Sequence, residues 1–275
     1  METKEQLAGL QLNSDAAECL MNMDKLLHYA GSERDGKGKT AVALLVVAPE
    51  GAGLTSFSKV YSGIVDDVAA YARSSKEITF LELDFPKNNE GEEKLFFASP
   101  GRLAANRNHF LGTMVISLRE FEGWDLIRSE SFDQLLRFVN SNKEYIHFVI
   151  HVLPEFKATA ALLARLRTIL NVAEVRLLVP DQEEAYTYVI REITKRKVHF
   201  GKNAECMLKN EVLPKVLEAQ NYRGYTTLER LVDQIVYELI LHQEEWTMTE
   251  PLLKKIITEI NSEDMKADLR IGFIR

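Results

Sequence analysis

The feature that most constrains the fold is an apolar run that ends in a proline and two closely spaced glycines. Residues 40–47 are nearly all apolar, and Pro49, Gly51, Gly53 and Thr55 follow them. A continuous apolar run is typical of a parallel strand that is covered on both faces. The glycines predict a turn, and a helix is predicted to begin near Thr55. This stretch is therefore predicted to form a buried strand, a glycine-bearing turn and a helix.

This layout resembles a phosphate-binding P-loop, in which backbone N–H groups and a helix N-terminus bind the phosphates of a nucleotide. The pattern G-x-x-x-x-G-K-[ST] places Ala48 at the first glycine, Leu54 at the lysine and Thr55 at the hydroxyl. Leucine can neither donate a hydrogen bond nor offset phosphate charge, and Glu50 adds a carboxylate that opposes a triphosphate. The residues retained for binding a phosphate are Gly51, Gly53 and Thr55.

Composition narrows the classes of protein to consider. The chain has 275 residues, 46% of them hydrophobic and 27% charged, which is ordinary for a globular protein. The net charge of −7 disfavours nucleic acid as a partner. Cys19 and Cys206 form neither a metal-binding motif nor a disulfide framework, which suits a reducing cytosol. We therefore expect no metal site. Because the sequence has no signal peptide and no run of 18 apolar residues, we expect a cytoplasmic protein with no membrane association.

Hydrophobic patterning predicts two domains. Up to about residue 180 strands alternate with helices, which predicts a parallel α/β sheet with helices on both faces. The predicted strands span residues 40–47, 78–85, 112–118, 145–153 and 174–179. Ser131 is predicted to cap the helix after the third long strand. Beyond Asp181 only helical spacing remains. We therefore predict an α/β core over residues 1–181 and a small helical domain over residues 182–275.

A P-loop sheet domain followed by a small helical domain resembles the AAA+ ATPases. Further stretches resemble the CbxX/CfxQ (SpoVK-like) branch of that family, in sequence order. Residues 7–10 resemble its L-x-G-L, residues 112–120 its Walker B segment G-V-L-F-I-D-E-A-Y, residues 150–156 its sensor-1 strand, residues 166–181 its L-R-S-R-F…F-P-D-Y, and residues 270–273 its R-x-I-G-F. The resemblance spans nearly the whole chain, and it implies a P-loop-type sheet between helices followed by a helical lid domain.

The residues that this resemblance assigns to catalysis are mostly absent. The Walker B aspartate falls on Ser117 and its neighbouring glutamate on Leu118. The arginine finger falls on Ile169, although Arg167 keeps the first arginine of that motif, and the sensor-2 arginine falls on Thr227. Phosphoryl transfer depends on positioning and on stabilisation of charge. The resemblance therefore implies a pseudo-ATPase with degenerate Walker A and Walker B motifs and no catalytic residues.

The leading hypothesis is a catalytically inactive AAA+-like module that acts as a structural or regulatory subunit. Its partner would be a protein, with active AAA+ protomers as one candidate, and no cofactor is expected. The alternative is a protein that binds ATP or ADP, or hydrolyses ATP slowly, through a non-standard P-loop supported by Lys37, Lys39 or Lys59. A third hypothesis, a nucleic-acid adaptor that uses the basic residues 195–197, is disfavoured by the acidic net charge.

Two pairs of residues have alternative interpretations. His147 and His151 lie on one face of a predicted strand, where they form either a metal pair or, as we favour, hydrogen-bonded buried histidines. Trp124 and Trp246 are either interface anchors or, for Trp246, part of the core of the helical domain.

Overall fold

The computed structural model describes residues 14–32, 42–72, 79–87, 91–92, 96–97, 112–144, 146–242 and 246–261. The chain divides into two compact units. The N-terminal unit comprises Met1–Pro49 and Gly53–Leu178, and the C-terminal unit comprises Glu50–Ala52 and Val179–Arg275. Residues 7–10, Lys37, Lys39 and residues 270–273, which entered the sequence predictions, lie outside the described residues.

A five-stranded parallel sheet forms the centre of the N-terminal unit. Its strands are β1 (Val42–Val47), β2 (Thr79–Asp84), β3 (Gly112–Ser117), β4 (Ile146–Val152) and β5 (Asn171–Arg176). Their order across the sheet is β2-β3-β4-β1-β5. Every residue of β1 is buried, because the strand lies inside the sheet and is covered on both faces. The predicted parallel α/β sheet is confirmed.

Helices cover the sheet on both faces. They are α1 (Ser14–Ser32), α2 (Leu54–Ala72), α3 (Trp124–Ile127), α4 (Glu130–Asn142) and α5 (Thr159–Arg167). Leu45 of β1 belongs to the same buried hydrophobic cluster as Phe132 of α4 and Leu162 of α5. Leu44 is also buried and points to the other face. Helices α1 and α2 contact strands β5 and β3 respectively.

Two local predictions in this unit were wrong. Strand β5 spans Asn171–Arg176 and not residues 174–179, because it pairs along its whole length with β1, from Val42 opposite Asn171 to Val47 opposite Arg176. The cap of α4 is Ser129 and not Ser131, since the Ser129 hydroxyl accepts the N–H of Phe132 at 3.1 Å.

The C-terminal unit is mostly helical. Its elements are α6 (Gln182–Lys195), α7 (Ala204–Met207), a π-helical turn (Leu208–Val212), α8 (Leu213–Glu218), α9 (Gly224–His242) and α10 (Glu250–Asn261), with the two-residue parallel strands β6 (His199–Phe200) and β7 (Thr247–Met248). Val189, Val232 and Leu253 belong to its core. None of the helices within the described ranges has the length and apolar composition that a membrane span requires.

Candidate functional site

The loop between β1 and α2 has the backbone conformation of a glycine turn. Gly51 has a φ angle of 79° and Gly53 one of 82°, in the left-handed region that favours glycine. Helix α2 begins at Leu54, and the N–H of Phe57 donates to the carbonyl of Gly53 at 2.9 Å. The apolar Leu54 side chain, which the sequence pattern aligns with the P-loop lysine, is half-buried at the start of the helix.

The hydroxyl of Thr55 is directed at a carboxylate of the same unit. Its Oγ1 lies 3.2 and 3.0 Å from the two carboxylate oxygens of Glu82, which is on β2. In a P-loop this hydroxyl would bind Mg²⁺. Here it donates its hydrogen to the protein. Sequence reasoning missed Glu82, because only the pairing of strands in space brings β2 close to the start of α2.

Ser117, His151 and Ala48 form a buried hydrogen-bonded chain across three neighbouring strands. Ser117 Oγ lies 3.0 Å from Nδ1 of His151, and Nε2 of His151 lies 2.9 Å from the carbonyl oxygen of Ala48. Ser117 and His151 are each only 5% exposed. The register of the strands brings these residues together. Ser117 lies opposite His151 in the β3–β4 pair, and His151 lies opposite Val46 in the β4–β1 pair.

The partners of His151 fix its tautomer. A carbonyl oxygen can only accept, so Nε2 carries the hydrogen and donates it to Ala48, while Nδ1 accepts from the Ser117 hydroxyl. Burial lowers the pKa of His151 below its ordinary value, and the bond to Ala48 opposes that effect. The imidazole is therefore neutral, and Ser117, which the sequence resemblance aligns with the Walker B aspartate, has its hydroxyl bonded to this neutral ring.

The two residues directly after Ser117, Leu118 and Arg119, carry no carboxylate. Leu118 is fully buried, and its N–H donates to the carbonyl of His151 at 2.8 Å. Arg119 forms an ion pair with Asp84 at the end of β2. Within the described residues, no three His, Cys, Asp or Glu side chains lie close enough together to bind a metal ion.

The second histidine of the predicted pair packs against a tyrosine. His147 Nδ1 lies 3.4 Å from the hydroxyl of Tyr61, and the two rings meet edge to face with centroids 6.2 Å apart. Burial lowers the pKa of His147 to about 4. Both histidines are thus hydrogen-bonded, as we favoured from the sequence, but only His151 is buried, whereas His147 is partly buried.

The residues that the sequence resemblance aligns with the arginine finger and sensor 2 make local structural contacts. Arg167, at the end of α5, lies 3.5 Å from the carbonyl oxygen of Val172. The carbonyl of Ile169 accepts a hydrogen bond from Lys143 at 3.1 Å. In the C-terminal unit, the hydroxyl of Thr227 accepts the backbone N–H of Arg223 at 2.8 Å. Thr227 therefore stabilises the start of α9.

Residues Glu50–Ala52 contact the start of α9 inside the C-terminal unit. The N–H of Tyr225 donates to the carbonyl oxygen of Gly51 at 2.9 Å, and Arg223 lies 3.5 Å from the carboxylate of Glu50. Sequence reasoning missed this contact. The one available signal was Gly224, a glycine three residues before the helix that was predicted to begin at Thr227.

The remaining candidates are exposed or ion-paired. Lys195 lies 2.9 Å from Glu192 and Arg196 lies 2.7 Å from Asp233, so two of the three residues in the basic cluster have acidic partners. Lys59 is exposed on α2.

Both tryptophans are partly exposed. Trp124 is 50% exposed, with Arg128 stacked 5.6 Å from its ring, and Trp246 is 47% exposed. A role for either as an interface anchor stays a prediction.

Comparison with known proteins reveals similarity in structure only. No protein-family model and no curated protein matches the chain. The RuvB Holliday junction branch migration motor of Thermotoga maritima superposes with a TM-score of 0.53 and 14% identity, over 90% of this chain and 72% of RuvB. The structure of C. elegans PCH-2 superposes with a TM-score of 0.58 and 14% identity, over 97% of this chain and 73% of PCH-2.

At this level of identity the similarity establishes the fold alone. The five-stranded parallel sheet, its flanking helices and the helical C-terminal part match those of RuvB and PCH-2. Membership of the CbxX/CfxQ branch stays a prediction. The chain has the fold of an AAA+ ATPase.

Proposed function

We propose that this chain is a catalytically inactive AAA+-like module that acts as a structural or regulatory interaction subunit. Its partner would be a protein, and active AAA+ protomers are the first candidates because they share its fold. The resemblance of its motifs to the CbxX/CfxQ branch makes protomers of that branch the first to test.

One observation carries the proposal. The buried chain from Ser117 through His151 to Ala48 occupies the ends of β3, β4 and β1 with neutral hydrogen-bonding groups. An ATPase needs a carboxylate there to orient Mg²⁺ and a second to position the attacking water. In this protein the residue at the position of the first carboxylate is Ser117, whose hydroxyl already has an acceptor. The residue at the position of the second carboxylate is the buried Leu118.

The start of α2, which follows the turn with Gly51 and Gly53, adds independent support for a catalytically inactive module. Leu54 supplies no charge to a β- or γ-phosphate, and the hydroxyl of Thr55 donates to the carboxylate of Glu82. Binding of a triphosphate beside Thr55 would bring further negative charge toward Glu82, which costs free energy unless a cation of the protein offsets it. These features disfavour ATP or ADP as a cofactor.

The alternative function is nucleotide binding without efficient hydrolysis. The positive φ angles of Gly51 and Gly53 and the presence of Thr55 at the start of α2 favour it, because these residues keep the backbone shape on which a phosphate loop depends. The two proposals differ in whether Mg-ATP binds the purified chain.

The decisive experiment is a titration of the full chain with Mg-ATP and Mg-ADP by calorimetry and thermal shift, with phosphate release measured in parallel. The Leu54→Lys variant restores the missing cation, and Leu54→Met is its uncharged control. We expect no binding heat, no rise in melting temperature and no phosphate release from the native chain or from Leu54→Met.

Two results would contradict the proposal in different ways. Micromolar binding with a matching rise in melting temperature would establish a nucleotide-binding protein, because a ligand at about 100 times its Kd stabilises by about 2.7 kcal/mol. Phosphate release above that of a Ser117→Ala variant would establish an ATPase. Binding by Leu54→Lys alone would show that the loop has kept its shape and lost only its charge, in agreement with the proposal.

A further inference from the structure

The start of α9 contacts Gly51 through backbone atoms. The N–H of Tyr225 donates to the carbonyl oxygen of Gly51 at 2.9 Å, and the ion pair between Arg223 and Glu50 lies beside it at 3.5 Å. Residues Glu50–Ala52 and α9 belong to the same compact unit. The contact is therefore part of the packing of the C-terminal unit.

Two glycines make this approach possible. Gly51 has a φ angle of 79° and Gly224 one of 50°, both of which favour glycine. A Cβ atom on Gly51 would overlap the carbonyl of Arg223, and a Cβ atom on Gly224 would overlap the carbonyl of Gly51. Backbone conformation and available space thus both require glycine at each position.

The contact uses amides that a helix normally leaves without intrahelical partners. The N–H of Tyr225 is bonded to Gly51, that of Thr226 to the carbonyl of Arg223 at 3.2 Å, and that of Arg223 to the hydroxyl of Thr227 at 2.8 Å. Free amides at a helix start bind anions. At the start of α9 these amides are bonded to groups of the protein.

We propose that residues 223–225 form an internal strap that holds Gly51 in its positive-φ conformation without a bound nucleotide. Any ligand that requires the Gly51 peptide to turn must first break the bond from Tyr225, so the strap opposes nucleotide binding at the loop. This inference builds on the proposed function, since an inactive module has no nucleotide to order its loop. Its test uses the protein alone.

Amide hydrogen exchange of the ¹⁵N-labelled full chain, followed residue by residue by NMR, tests the strap. The comparison is the amide of Glu183, which like Tyr225 is the second residue of its helix. We expect the Tyr225 amide to exchange about tenfold or more slowly than that of Glu183, because exchange of a bonded amide requires local opening. Equal exchange rates in the native chain would overturn the proposal.

Variants test the cause of the protection. Gly51→Ala should bring Tyr225 to the exchange rate of Glu183, whereas Arg230→Ala, an exposed change further along α9, should leave it unchanged. Continued protection in Gly51→Ala would overturn the strap. If Gly51→Ala fails to fold, Arg223→Ala removes only the ion pair and should speed Tyr225 exchange about two- to threefold, and no change would count against the strap.

Addition of Mg-ADP separates this inference from the proposed function. An exchange rate of the Tyr225 amide that Mg-ADP leaves unchanged agrees with the strap and with the inactive-module proposal. Faster exchange on addition of Mg-ADP would mean that the nucleotide binds and opens the strap, which overturns the inactive-module proposal and supports the strap.

Discussion

Ser117 on β3 donates its hydroxyl hydrogen to Nδ1 of His151 on β4, with 3.0 Å between the two heavy atoms, where both side chains are almost completely buried. The opposite nitrogen of the ring is held by the carbonyl of Ala48. Both nitrogens of the His151 ring and the Ser117 hydroxyl thus have hydrogen-bond partners. Removal of any member leaves a buried group unsatisfied, which makes the chain testable by substitution.

Ser117→Ala should destabilise the protein although it removes only one oxygen atom. Nδ1 of His151 would lose its donor in a buried site, at a cost of about 1–3 kcal/mol in the free energy of unfolding. Urea denaturation followed by circular dichroism measures this. The exposed Ser56 of α2 provides the control, since Ser56→Ala should change stability by less than about 0.5 kcal/mol. Equal effects of the two variants would mean that the bond contributes nothing to stability.

Stability should fall as the pH is lowered from neutral toward 4. The pKa of His147 is lowered to about 4 and that of His151 is lowered also, so between the ordinary pKa of about 6.5 and these values the unfolded chain binds more protons than the folded chain. The stabilisation is fully present above about pH 6.5 and decreases below it. For His147 the loss by pH 4 is on the order of 3 kcal/mol.

His147→Phe isolates this contribution, because carboxylates also titrate at low pH. Urea midpoints at pH 7, 6, 5 and 4 should fall less steeply for the variant than for the native chain. Parallel curves would show that burial of His147 is not linked to protonation.

The sequence predicted the parts of this protein that depend on local pattern. The apolar run before Pro49 predicted β1, because a strand covered on both faces has no polar side of its own. The alternation of strands and helices predicted the parallel sheet. The start of β5 could not be predicted in this way, because pairing with β1 sets it and residues 171–173 carry no distinguishing pattern.

The site could be predicted only as a set of separate positions. The sequence alignment with AAA+ motifs identified Ser117 and Leu118, but the bridge from Ser117 through His151 to Ala48 depends on the strand order β3-β4-β1. The bond from Thr55 to Glu82 and that from Tyr225 to Gly51 depend equally on tertiary packing. Hydrophobic periodicity contains no information about such contacts between distant segments.

The ion pair between Arg119 and Asp84 should contribute little to stability. Both side chains are nearly half exposed, so solvent screens their attraction. A double-mutant cycle with Arg119→Gln and Asp84→Asn should give a coupling energy of about 0.2–1 kcal/mol in low salt. In 1 M NaCl the coupling should disappear. A coupling above about 2 kcal/mol that survives salt would indicate a structural role that its exposure does not suggest.

The capping box of α6 should contribute more to the stability of the protein than the ion pair between Arg119 and Asp84. Asp181 accepts the N–H of Glu184 at 2.9 Å, and the Glu184 side chain accepts the N–H of Asp181 at 3.1 Å. Asp181→Ala should lower the free energy of unfolding by about 1 kcal/mol, and Asp181→Ser should recover much of it, because serine also caps helices well. Equal losses in the two variants would show that the charge of Asp181, and not its capping geometry, stabilises α6.

A glutamate at position 118, where the sequence resemblance places the second Walker B acid, should unfold the protein before it creates activity. Leu118 is fully buried, so Leu118→Glu would bury a carboxylate with no cation beside it, which costs several kcal/mol. The matched control Leu118→Met keeps the volume and should cost less than about 1.5 kcal/mol. Urea denaturation ranks the three proteins, and phosphate release is measured on each that folds. A Leu118→Glu variant with native stability and measurable hydrolysis would show that this position can hold a catalytic acid, and the buried leucine would then no longer support an inactive module.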